Sequence, residues 1–158
     1  MNTKIVTLDR LSAIAREMRS KGERLVLTNG CFDLLHVGHV RYLAAARELG
    51  DALAVAVNGD GSVRALKGAD RPLNNESDRA AVLSALEVVD YVVVFSQVRA
   101  TEILSRVCPA MYVKGGDYTP ETLDTEERSA LQNCGTEIRI LPFHAGYSTS
   151  QLIGKMQR

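Results

Sequence analysis

The stretch Thr28-Asn29-Gly30-Cys31-Phe32-Asp33-Leu34-Leu35-His36-Val37-Gly38-His39 sets a turn, an acid and two histidines between an apolar strand and an amphipathic helix. Leu25-Val26-Leu27 carries a short buried-strand signal, Asn29-Gly30 is a turn dipeptide, and apolar residues recur at helical spacing from Val37 to Leu49. A strand that feeds a helix through so short a polar turn is the opening unit of an α/β fold. With Gly38 in the first helical turn, His36 and His39 face the same way. The N–H groups and dipole of that helix start favour an anion, and Gly38, lacking a side chain, lets a phosphate approach the backbone. Histidines can instead merely cap or pack a helix. Two of the three histidines in the chain fall here, which favours a nucleotide phosphate site.

The remaining pattern repeats the unit. Leu8, Leu11, Ile14, Ala15 and Met18 form a helical stripe that ends near Lys21-Gly22, so residues 1–22 form an N-terminal helix ahead of the sheet. Strands are expected at about Arg24 to Thr28, Ala52 to Val57, Tyr91 to Phe95, Ala110 to Val113 and Glu137 to Leu141. Helices are expected over Glu76 to Leu86, Thr101 to Val107, Thr125 to Asn133, and from a Ser148 cap through Met156, with Asn58 to Asn74 as a polar, Gly-rich loop. These βα units imply a doubly wound, Rossmann-like parallel sheet of five strands in a single domain spanning residues 1–158. Asn29 to Asp33, Asn58 to Arg71, Lys114 to Tyr118 and Phe143 to Thr149 each follow a strand. All four polar clusters thus fall on the carboxyl edge, where such sheets bind ligands.

Composition narrows the function. The 19 basic and 19 acidic residues cancel, so no global field draws in nucleic acid or an acidic membrane, and phosphate affinity must be local. No apolar run approaches the ~18 to 20 residues of a membrane span, and Met-Asn-Thr-Lys-Ile is not the start of a signal peptide. A cytoplasmic protein is expected. Cys31, Cys108 and Cys134 suit neither a disulfide framework nor zinc spacing. They read as free thiols, with Cys31 inside the phosphate loop and open to alkylation. The first βα turn lacks Gly-x-Gly-x-x-Gly, which disfavours a nicotinamide-dependent dehydrogenase.

Gly30-x-Phe32-Asp33-x-x-His36-x-Gly38-His39 resembles the signature of the HxGH nucleotidyltransferases of the cytidylyltransferase-like superfamily. Leu66-Lys67-Gly68, Arg71-Pro72, Arg79, Leu83 to Val93, Val113-Lys114-Gly115-Gly116-Asp117-Tyr118 and Ser148-Thr149 extend the likeness to the bacterial D-glycero-β-D-manno-heptose 1-phosphate adenylyltransferases. It covers nearly everything after Leu8. The resemblance implies transfer of AMP from ATP to the heptose phosphate, giving ADP-heptose for lipopolysaccharide core and releasing pyrophosphate. In some bacteria the activity is half of a bifunctional protein whose other half is a sugar kinase; 158 residues leave no room for both, so the adenylyltransferase alone is expected. A cytidylyltransferase, or transfer to another small phosphorylated substrate, is the alternative. A non-catalytic nucleotide sensor is a more remote one.

Under this resemblance the reaction needs charge neutralisation and alignment rather than a covalent nucleophile. His36 and His39 would bind the ATP phosphates and stabilise developing charge, together with Lys67 and Lys114. Asn29, Gly30, Cys31, Phe32, Asp33, Gly38, Gly115, Asp117, Ser148 and Thr149 would complete the nucleotide site. Asn58, Lys67, Arg71 and Arg79 would hold the sugar phosphate. Asp33 either orients a histidine, meets ATP-bound Mg2+ or caps its turn; Asp117 meets ribose or metal-bound water. Cytidylyltransferases of the superfamily usually show Arg-Thr-Glu-Gly-Ile-Ser-Thr where this chain has Phe143-His144-Ala145-Gly146-Tyr147-Ser148-Thr149. The missing Arg and Glu fit adenylyl transfer better and leave phosphate charge to Lys67 and Lys114. The partners implied are ATP and a sugar 1-phosphate, with a homodimer expected.

Overall fold

A strand buried on both faces needs helices on both faces, and the strand Ala52–Asn58 is buried along its whole length. Its alternation sorts the layers. Ala52, Ala54 and Ala56 belong to one core cluster, and Leu53, Val55 and Val57 to the other. The computed structural model describes residues 2–116, 118–142 and 149–157, with Thr149 placed by its backbone.

The strands β1 (Leu25–Gly30), β2 (Ala52–Asn58), β3 (Tyr91–Phe95), β4 (Met111–Gly115) and β5 (Glu137–Leu141) form one five-stranded sheet in the order β3-β2-β1-β4-β5. Every pairing is parallel. The alanine face receives α1 (Leu8–Ser20), α5 (Thr101–Val107) and α6 (Thr125–Cys134), through Leu11, Ile14, Met18, Ile103, Leu104 and Leu131. The opposite face receives α2 (Val37–Arg47) and α4 (Glu76–Ser84), through Leu43, Ala46, Ala80 and Leu83. The helices α3 (Asp60–Lys67) and α7 (Thr149–Met156) complete the set. The expected doubly wound sheet is therefore present. The N-terminal segment does more than lead into α1: Val6 donates to the Val92 carbonyl at 2.8 Å and Val92 to that of Lys4 at 2.8 Å. That bridge covers the outer edge of β3.

Three expectations are corrected. Asn29-Gly30 and Lys114-Gly115 are the last residues of β1 and β4 rather than turns, because the neighbouring strands are long enough to continue the ladder: Asn29 pairs with Ala56, Gly30 with Val57, Lys114 with Ile140. The expected loop of residues 58–74 contains α3, whose buried Ser62 and Val63 lie between Gly59 at its start and Gly68, at φ 108°, at its end. Its short length and flanking glycines hid it. Lastly, Cys108 and Cys134 are not free thiols but form a disulfide, with Cα atoms 5.2 Å apart. They stand 26 residues apart in sequence, at the C-terminal ends of two helices that pack side by side. Only the tertiary packing brings them together. Cys31 remains a free cysteine.

From β1 the chain winds outward to β2 and β3, then returns across β1 to β4. The reversal opens a crevice at the carboxyl ends of β1 and β4, the usual place for a ligand in an open α/β sheet. Because Ala54 is fully buried in the core cluster shared with α1 and α5, Ala54→Leu is expected to lower unfolding free energy by about 1–3 kcal/mol. Urea denaturation followed by circular dichroism checks it; an unchanged midpoint would mean that this face has slack.

Candidate active site

The crevice is a cleft of about 560 Å³. One wall is the start of α2. His36 is its N-cap residue, extended at φ −136° and ψ 175°, and its Nδ1 accepts from the Gly38 N–H at 3.1 Å. In return the His36 N–H donates to Nδ1 of His39 at 3.3 Å. A ring nitrogen that accepts an amide proton cannot carry its own, so both neutral imidazoles hold their proton on Nε2. The rings lie 4.0 Å apart between centroids, and both line the cleft. The expected pairing of the two histidines around Gly38 is thus observed. Burial lowers both imidazoles from their ordinary value; for His39, with the neighbouring His36 adding repulsion, the value falls to about 4.

The floor comes from the ends of β1 and β2. Phe32 has a positive φ of 49° and folds its ring over Gly30, where a Cβ would meet that ring at 3.0 Å. The same ring lies 5.6 Å from that of His39. Asn29 accepts a hydrogen bond from the buried Tyr112 hydroxyl. Asn58 is buried, and its Nδ2 donates to Ser62 at 2.7 Å. Cys31 lines the cleft as a half-buried free thiol, and burial pushes that thiol up despite nearby Lys67, Arg79 and Arg71.

Two charged side chains sit differently from the expectation. Asp33 is 3% exposed; Oδ1 accepts from the Leu73 and Asn74 amides, and Oδ2 from Leu73 and from Arg71 Nε at 2.8 Å. Burial alone would raise this carboxyl, but the Asn74 and Leu73 amides and the Arg71 guanidinium outweigh it and hold it below its ordinary range. Asp33 therefore anchors the loop after α3, and Arg71 reaches the cleft already paired. Arg79 does not line the cleft at all. It is 2% exposed, and its guanidinium donates to the carbonyls of Asn74, Cys31 and Asn58 and to Asp60. The expectation that it binds substrate is corrected: it pins the floor from beneath.

The opposite wall holds Lys114 and Gly115 on β4. Burial pulls the Lys114 ammonium down, with Glu127 and Cys31 opposing; its Nζ lies 4.8 Å from the centre of the Tyr118 ring. Of the two glycines, only Gly116 uses a positive φ, 82°, to leave the strand. Lys67, at the end of α3, lines the cleft as expected. Asp117, Ser148, His144 and Tyr147 lie outside the described residues, as does the Thr149 side chain. Sequence reasoning missed Arg99, Asp124 and Glu127, which also line the cleft. The available signal was that Arg99 follows β3 and that Asp124 and Glu127 follow β4, both strand-end connections on the same edge.

Comparison with known proteins identifies the family and the fold. Residues 27–155 match the family described as Cytidylyltransferase-like. The chain is 47% identical over 156 residues, 99% of its length, to the Bifunctional protein HldE of Geotalea uraniireducens, and 53% identical over 135 residues, 85% of its length, to that of Nitrosococcus oceani. It spans about a third of the length of these curated relatives, 31% and 28%. A solved structure titled as the lipopolysaccharide core biosynthesis protein from Thermoplasma volcanium GSS1 superimposes with a TM-score of 0.63 at 30% identity, covering 78% of this chain and 98% of that one.

Two outcomes are expected. Arg79→Ala strands buried carbonyls and Asp60, and should lower stability by about 3–5 kcal/mol, read from urea denaturation; a loss under 1 kcal/mol would show that the floor stands without it. Long-range 1H–15N NMR of the ligand-free protein should show Nε2–H tautomers for both residues, His36 and His39, with His39 protonating last, near pH 4. The sign for stability follows: a histidine whose folded value is depressed takes up its proton more readily when unfolded, so its contribution falls as pH drops from about 6.5 to about 4.

Proposed function

This chain belongs to the cytidylyltransferase-like family, and from that premise we propose that it transfers AMP from ATP to D-glycero-β-D-manno-heptose 1-phosphate, yielding ADP-heptose and pyrophosphate for lipopolysaccharide core. The carrying observation is the pair of imidazoles fixed by backbone amides at the start of α2, lining one cleft with Lys114 of β4. The heptose assignment is supported by the Lys-Gly-Gly-Asp-Tyr stretch of residues 114–118, and by the likeness to a protein titled for lipopolysaccharide core biosynthesis.

In this reading a phosphate oxygen of the sugar forms a bond to the α-phosphorus of ATP. The bond from that phosphorus to the bridging oxygen breaks, and its electron pair leaves on pyrophosphate. The attacking phosphate is already deprotonated near neutral pH, so no general base is needed. His36 and His39, as neutral Nε2–H donors, and the N–H groups of the α2 start stabilise the charge that builds on the phosphates. A cationic imidazole is unnecessary for this. Lys114 and Lys67 supply the positive charge that the departed Arg of the superfamily pattern would have given. Asn58 and Arg71 border the sugar phosphate. Magnesium enters on the triphosphate as part of the substrate. Among the described residues no three His, Cys, Asp or Glu side chains converge on a metal-sized site, and Asp33 is filled by its four donor contacts. A single domain acting as a cytoplasmic homodimer completes the proposal; no helix among the described residues is long and apolar enough to cross a membrane.

The test is pyrophosphate release by the purified protein with magnesium, pairing ATP or CTP with heptose 1-phosphate or glycerol 3-phosphate. Release only with ATP and the heptose is expected; CTP turnover would make it a cytidylyltransferase, and silence in every pairing would favour a nucleotide sensor. His39→Ala should lower turnover about a hundredfold or more. His36→Ala also removes the α2 cap, at about 0.5–2 kcal/mol, so His36→Asn, which keeps an N-cap acceptor, is the cleaner variant and should lose turnover to a similar degree. Near-normal turnover in both positions would remove the histidines from the mechanism.

A further inference from the structure

A cleft built for phosphates has little use for a carboxylate, and three acidic residues among the described ones line this one: Asp33, Asp124 and Glu127. Two are spoken for. Asp33 takes four donor contacts, close to the full capacity of a carboxylate. Asp124 caps α6, accepting from the Glu127 N–H at 3.2 Å, and lies 3.7 Å from Arg99 Nε. Glu127 differs. It is only 6% exposed, and Oε1 accepts from the Ala100 N–H at 2.9 Å. Oε2 receives no hydrogen bond from any described residue. It is not one of the buried side-chain oxygens left without a partner, which among the described residues are those of Ser12 and Thr101, so it is open to the cleft that the residue lines.

We propose that Glu127 is a substrate-binding residue whose cleft-facing oxygen accepts a hydrogen bond from a hydroxyl of the bound substrates, fixing the orientation of a sugar ring. The ligand group at Oε2 must be a donor. A phosphate is excluded by like charge, whereas both substrates of the proposed reaction carry ring hydroxyls. The arrangement also explains the local sequence. A Glu at the third position of a helix commonly reaches back to its own N-cap amide; Glu127 instead spends one oxygen on the start of α5, which holds the side chain rigid and leaves the second oxygen for the cleft. Lys114 lines the same cleft and is near enough for the Glu127 charge to act on it, so phosphate and hydroxyl can be read side by side. This inference rests on the adenylyl transfer proposed above, and it specifies the polyol character of the substrate.

Glu127→Gln separates the roles. The amide oxygen keeps the Ala100 contact, and the NH2 that turns to the cleft is a donor where an acceptor stood. Calorimetric binding of ATP, 2′-deoxy-ATP, 3′-deoxy-ATP and heptose 1-phosphate to wild type and variant is the measurement, with pyrophosphate release run beside it. A drop of about tenfold to a hundredfold in affinity for one substrate is expected. If the ribose supplies the hydroxyl, wild type discriminates against one deoxy-ATP and the variant does not. If the heptose supplies it, only heptose phosphate binding weakens. Equal affinities in wild type and variant for every ligand overturn the proposal. Should the variant fail to fold, wild type alone decides: indifference to both ATP deoxygenations and to deoxygenation of the heptose phosphate overturns it. A wild type that binds ATP yet releases no pyrophosphate refutes the adenylyl transfer instead.

Discussion

The site rests on one buried cation. Arg79 comes from α4, yet its guanidinium ties together the loop leaving β1, the last residue of β2, the segment before α4 and the first turn of α3, through Cys31, Asn58, Asn74 and Asp60. A fully buried guanidinium is costly to desolvate and is tolerated only where its donors are met. Here carbonyls do most of that work, so the pieces of backbone that form the cleft floor are held at fixed separations. Asp33 and Arg71 repeat the device one layer up, fastening the segment after α3 to the turn before α2. Between them the two clusters turn strand-end connections, ordinarily the softest parts of an α/β sheet, into a floor.

On that floor the two histidines are aligned by backbone rather than by acids. Each Nδ1 is occupied by an amide proton, which leaves the Nε2–H edge as the donor and keeps the rings neutral near pH 7. For the proposed transfer, in which pyrophosphate must leave, neutral donors have a physical advantage: they stabilise charge as it shifts without adding the full Coulomb attraction of a fixed cation to the product. Lysines supply the net charge separately.

Much of this was legible in the chain, because it lies in local periodicity. Tyr91–Phe95, Thr101–Val107 and Glu137–Leu141 stand as the apolar spacing indicates, and the carboxyl-edge clustering of His36, His39, Lys67 and Lys114 follows from strand order alone. What escaped depends on distance. Arg79 reads as a surface helix arginine because its acceptors are backbone carbonyls, which no residue type announces. Cys108 and Cys134 meet only once α5 packs on α6. Glu127 went unread because its contact with Ala100 exists only across two helices. The α3 helix was hidden by the glycines that bound it.

In the proposed reaction the two classes of charge in the cleft divide the labour of recognition. Lys67 and Lys114 attract any phosphorylated ligand, which raises encounter and affinity but discriminates little among nucleotides or sugar phosphates. An acceptor-only carboxylate on the cleft wall does the opposite, since a ligand that covers it without offering the matching hydroxyl leaves it unpaired. Discrimination among sugars or nucleosides therefore has to come from groups such as Glu127, set by tertiary contacts between helices, while the phosphate chemistry is set by the β1–α2 turn. A family can keep the second unchanged and vary the first, because the helices carrying them pack on opposite faces of the sheet.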